Sequence, residues 1–286
     1  MVEGNQKGLI GTKGDEDIAA GGFLINSNRL IRNVFITCVL IELALFLLDF
    51  SVDLWSSPGR PGERPFRHLF LLSREDGLGS WLGTIQTLFA GFTLLIIHLK
   101  VKKNNLASKW ATTMWGFLAF FFLFWAFDDG VQIHERVSAS LSMIASTPRA
   151  SSSASSLVEK IVLNYPSYPI HLFIVPIFGG VGIYMLFFLW RVLEGSRAKF
   201  LPFIAVASLA MAMGIDFAEG LSNHPQWDVF GMMVNKFHIE FHVIYATEEI
   251  LEMFGMTLFW TTFLIYFSKI AGVIRLDFIN NNPDIS

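Results

Sequence analysis

Six apolar stretches, at 33–52, 81–99, 110–129, 169–190, 200–219 and 240–267, govern what this chain can fold into. A bilayer core about 30 Å thick is crossed by roughly 20 residues of α-helix. Helices and closed barrels are the only backbones that satisfy their own polar groups in lipid. Runs this long and this apolar predict an all-α, polytopic membrane protein with six transmembrane helices. Hydrophobic residues make up 53% of the chain and charged residues 16%, more apolar surface than a soluble core of 286 residues can use. The last stretch is long enough to tilt or protrude.

Direction follows from lysine and arginine in the short connections. Lys100, Lys102, Lys103 and Lys109 separate spans two and three, and Arg191, Arg197 and Lys199 separate spans four and five. Both connections are expected on the cytoplasmic side, giving an N-in, C-in topology. The arginines of 53–80 dissent, partly offset by Asp53, Glu63, Glu75 and Asp76. The expected layout is a polar arm at 1–32, a membrane domain at 33–267 and a tail at 268–286. Its longest outer loop, 130–168, carries the low-complexity run Ser151–Ser156. The opening residues lack the apolar core of a cleavable signal, so the first span reads as an anchor. Net charge is −3, which excludes a nucleic-acid surface, and the single cysteine, Cys38, excludes an intrachain disulfide. The expected location is a cell membrane of the bacterial inner-membrane type, with membrane lipid as surroundings and no particular protein partner indicated.

Ionisable residues inside a membrane are costly and by default suggest function. Span three ends in Asp128-Asp129-Gly130-Val131-Gln132-Ile133-His134-Glu135-Arg136, and span five ends with Asp216 and Glu219. Span six opens with His238 and His242 and continues through Glu248, Glu249 and Glu252, while span one adds Glu42 and Asp49. At 1.5 Å of rise per residue, Asp128, Asp216 and Glu249 fall about 24–27 Å from the cytoplasmic helix ends, with Glu252 and Asp49 about 22 Å from them. Acids from three or four helices thus share one layer of the outer leaflet. By helical phase, His238, His242, Glu249 and Glu252 fall in one stripe, as do Asp128, Gln132 and Glu135.

Carboxylates mixed with imidazoles at i, i+4 suit zinc, iron or manganese, where an oxygen-only set would suit calcium or magnesium. The expected ligands are Asp128, Asp216, Glu219, His238, His242 and Glu249, with Glu135 and Glu252 as acid–base residues. A metal-bound water would attack an ester or amide of a lipid-like substrate. Two other readings stand beside this one. The acids can form a cation or proton pathway, although the inner halves of the spans offer only Glu42. They can also lock helices together in a non-catalytic subunit or assembly factor. Gly179, Gly180 and Gly182 predict a close helix contact along span four, and Pro176 a kink.

Four motifs carry a resemblance: Glu75 to Trp81, Asp128 to Arg136, Gly214 to Glu219, and Glu248-Glu249-x-x-Glu252-Met253-x-Gly255. In these the chain resembles a family of uncharacterised, mostly bacterial multi-pass membrane proteins, which implies a membrane fold and no particular activity. It bears a looser likeness to the alkaline ceramidase and progestin-receptor-like membrane hydrolases. Those combine a serine, an aspartate and His-x-x-x-His around zinc in seven helices, where this chain has six.

Overall fold

In a computed structural model the described residues are 22–55, 68–72, 74, 77–133, 136–137, 140, 171–222, 241–272 and 274–277. They form a short strand β1 (Gly22–Ile25) and helices α1 (Ser27–Trp55), α2 (Leu78–Asn104) and α3 (Lys109–Val131). Helices α4 (His171–Val192), α5 (Leu201–Ser222) and α6 (Phe241–Ala271) follow, then strand β2 (Ile274–Asp277). Five of these helices are long and apolar enough to cross a membrane, and the apolar α4 makes a sixth. The chain is an all-α multi-pass membrane protein.

Strands β1 and β2 pair antiparallel, Gly22 opposite Asp277 and Ile25 opposite Ile274. This ribbon joins the segments just before α1 and just after α6. It therefore holds both on one side of the bundle, which requires an even number of crossings. Side-chain periodicity of the spans carries no trace of so short a pairing.

The helices meet through turns that their sequences specify. At the end of α2, Asn105 adopts the left-handed conformation (φ 50°) and returns its N–H to the Val101 carbonyl. Three residues later Ser108 caps α3 by accepting from the Ala111 N–H, so the chain reverses at once into an antiparallel pair. His98 Nδ1 lies 2.9 Å from the Thr112 carbonyl oxygen and ties the two helices near that turn. Before α5, Ser196 accepts from the Ala198 N–H, and the Lys199 ammonium sits 4.3 Å from the Trp190 ring centre at the expected water boundary.

Helix α6 is the axis of the bundle, packing on α1, α2 and α5, while α2 and α3 form the closest pair. The core between them is aromatic. Trp115 stacks on Tyr266 at 4.5 Å and meets Phe188 edge-on, and Phe122 meets Phe259 and Phe263 edge-on. The opposite faces expose Leu40, Phe120, Ile183 and Met211, each by more than half (58%, 69%, 71% and 60%). Surface this apolar on every side of a bundle requires lipid as its solvent.

Two expectations are corrected here. Alanine methyls built at Gly179, Gly180 or Gly182 would meet nothing within 4 Å, so these glycines mediate no close contact among the described residues. Close approaches between helices lie instead at Gly91, against Leu123, at Gly116, against the His98 ring, and at Gly255, against Leu209 and the Ala205 carbonyl. Glycine in a helix is disfavoured against alanine by about 1 kcal/mol. The triple change Gly179→Ala, Gly180→Ala, Gly182→Ala should accordingly leave stability unchanged or raised in equilibrium unfolding, whereas a loss of more than about 1 kcal/mol would mean that α4 is packed. The second correction concerns the common face expected for Asp128, Gln132 and Glu135, which requires α3 to run straight on through Gln132. Gln132 takes a left-handed conformation (φ 56°) and closes the helix onto the Asp128 carbonyl. Helical turns resume beyond it at 133 and 136–137, so the phase linking Asp128 to Glu135 is broken at Gln132.

Candidate functional site

On α1 the residues Cys38, Glu42, Leu45 and Asp49 recur at i, i+4, i+7 and i+11 and are all buried, while Leu40, Leu43, Leu47 and Leu48 between them are exposed. This narrow stripe faces α6 and α2 and carries two acids into the bundle. Asp49 is fully buried, and each of its oxygens meets a different element. Oδ1 accepts the Leu72 N–H at 3.1 Å, anchoring the segment that leads into α2. Oδ2 lies 2.9 Å from His242 Nε2 on α6, an ion-pair distance without the alignment of a hydrogen bond. His242 is mostly buried, with 18% of its side chain exposed. A carboxylate against Nε2 favours the proton on that nitrogen and leaves Nδ1 as the basic or ligating atom.

About 10 Å further into the bilayer by helix rise, Glu42 is the centre of a second polar group. Its Oε1 accepts from Gln86 Nε2 at 2.8 Å and from Thr257 Oγ at 2.6 Å, and Gln86 Nε2 also donates to Thr257 at 2.9 Å. Three helices thus contribute one side chain each to a closed triangle. Between the two polar levels Leu45, Leu72, Ala246 and Met253 form a small apolar cluster, with Phe46, Leu82 and Ile250 packed against it.

The expected site residues divide by placement. Asp128 is buried at the end of α3, and its neighbour Asp129 accepts from Thr84 of α2 at 3.2 Å. Asp216 on α5 and Glu249 on α6 are half-buried, whereas Glu252 is exposed. Glu135 and His238 lie outside the described residues, and Glu219 is described only as part of α5. The structure thus brings His242 to Asp49. Among the described residues no three His, Cys, Asp or Glu side chains converge as a metal-binding group.

Two participants carried little weight in the sequence. Gln86 is a single amide inside an apolar span, and Thr257 is one of several threonines whose hydroxyls ordinarily bond back into their own helix. Thr87, Thr93 and Thr262 do bond back in that way, to the carbonyls of Gly83, Phe89 and Leu258. Only α6 packed against α1 turns the Thr257 hydroxyl outward. The available signal was the spacing of Glu42 and Asp49, seven residues apart on one face.

No curated protein and no solved structure matches this chain. A family model described as a domain of unknown function, DUF8692, matches residues 34–267, from within α1 to within α6. A match over that much of the membrane domain makes the chain a member of the DUF8692 family.

Proposed function

We propose that His242 and Asp49 form the centre of a membrane-embedded hydrolytic site for a lipid-like ester or amide, opening toward the outer leaflet. The observation that carries this reading is the 2.9 Å contact of a fully buried carboxylate with one imidazole nitrogen. A histidine oriented in this way presents its second nitrogen to take a proton from water or from a substrate hydroxyl. The further acid groups this reading draws on are Asp128 on α3, Asp216 on α5 and Glu249, seven residues along α6 from His242. A metal-dependent version, with zinc, iron or manganese, is favoured by the His-x-x-x-His spacing of His238 and His242. It needs His238 and Glu219 to complete the ligand set, with Glu135 and Glu252 in the acid–base roles.

The test is hydrolysis of short-chain phospholipid and ceramide-like substrates by purified protein in mild detergent, alongside elemental analysis. Hydrolysis should fall by roughly 10²–10⁴ in His242→Ala, the usual worth of general acid–base catalysis. Near-stoichiometric transition metal that disappears in the same variant would select the metal-dependent version. A protein that is metal-free, hydrolyses nothing and merely melts earlier as His242→Ala would sink the proposal and leave the pair as a lock between helices.

A further inference from the structure

We infer that Glu42 is a proton-binding site in the middle of the membrane, with Gln86 and Thr257 as the groups that hold its carboxyl in both protonation states. The argument starts from charge. Glu42 is 3% exposed, lies near the midpoint of the 29-residue α1, and has no cationic side chain against it among the described residues. An ionised carboxylate there is a lone negative charge among apolar helices, expensive unless a single positive charge joins it. A divalent ion would overcompensate that charge. A monovalent metal ion needs more oxygen ligands than this site supplies, because hard cations gather about six. A proton needs one.

The hydrogen bonds suit both states. In the arrangement seen, Gln86 and Thr257 aim two donors at one carboxylate oxygen, which serves the ionised form. In the same arrangement Gln86 Oε1 is buried and has no hydrogen-bond partner among the described residues. A buried amide acceptor left unused stands ready for a donor. Rotating the Gln86 amide by half a turn brings Oε1 to the place Nε2 now holds, where it accepts the O–H of a protonated Glu42. The Thr257 hydroxyl, 2.9 Å from that place, then turns its proton from the carboxyl to the amide oxygen, so every partner is kept. The groups facing Glu42 are few. Cys38, one turn back on α1, is the titratable one, and Gln86 from α2 and Thr257 from α6 are uncharged. Asp49 and His242 lie beyond the apolar layer of Leu45, Ala246 and Met253. That layer makes this a site separate from the outer one, so proton binding here does not depend on hydrolysis there.

The test is infrared difference spectroscopy of the full chain in lipid, between acid and alkaline samples across the range in which it stays folded. A protonated-carboxyl C=O band should appear with acid and be missing in Glu42→Gln. In Thr257→Val the band should persist and appear at a higher pH, because the ionised carboxylate has lost a hydroxyl donor. That second variant keeps the test decisive if Glu42→Gln does not fold. A pH-difference spectrum without a band assignable to Glu42, whether because it is always ionised or always protonated, overturns the inference. So does a band that sodium, but not potassium, removes at constant pH, which would make the occupant a metal ion.

Discussion

Replacing Asp49 with alanine is expected to destabilise the protein by about 3 kcal/mol, the scale for leaving two buried polar groups without their partner. The change strands two groups at once. The Leu72 N–H loses its acceptor in a site where Leu72 itself is fully buried, and His242 Nε2 loses the carboxylate 2.9 Å away. Asp49→Asn separates these effects, because its amide oxygen still accepts from Leu72 while the charge is gone. It should retain part of the loss. A double-mutant cycle with His242→Ala then isolates the pair. Polar couplings between membrane helices run at roughly 0.6–2 kcal/mol. Equilibrium unfolding in mixed detergent gives these values directly. Strict additivity of Asp49→Ala and His242→Ala would show that the contact contributes nothing to stability.

Gly255→Val should be comparably damaging for a steric reason. A Cβ at this position would stand 2.9 Å from Leu209 Cγ and 3.2 Å from the Ala205 carbonyl oxygen, both on α5. The leucine can rotate, but the carbonyl belongs to the helix backbone and cannot retreat without moving α5 away from α6. Overpacking of this kind costs about 1–3 kcal/mol, and a β-branched side chain on the axial helix is placed at the top of that range. Gly255→Ala should cost less. Leu209→Ala, destabilising alone, should partly rescue Gly255→Val because it removes the nearer of the two clashes. Folded yield and unfolding midpoint measure both effects. A well-tolerated valine would mean that α5 and α6 are not held at this spacing.

The crossings were legible in the sequence because lipid imposes one unambiguous demand, an apolar run of fixed length. Each expected span overlaps the observed helix closely, 33–52 against Ser27–Trp55 and 240–267 against Phe241–Ala271. The helices extend a few residues further because their polar ends continue into the headgroup region. What composition hides is which glycine touches a neighbour. Three glycines clustered in α4 looked like a contact face, yet a Cβ there would meet nothing within 4 Å among the described residues, whereas the isolated Gly91 and Gly255 sit at tight crossings. A glycine marks permission for close approach, and only the neighbouring helix determines whether the permission is used.

The candidate site divides in the same manner. That Asp49 and His242 belong to the outer ends of their spans is contained in the sequence, although rise per residue sets His242 about 10 Å further out than Glu249 and leaves the two at different levels. Their pairing is not, because rotation of one helix about its axis is free until another helix packs against it. The same holds for Gln86 and Thr257, whose side chains gain meaning only from Glu42 across two interfaces. Sequence alone determined that this chain lives in a bilayer and crosses it several times, since lipid selects on length and polarity along one axis. Tertiary structure decided which charges meet, since that depends on angles around the helices, which the bilayer does not select.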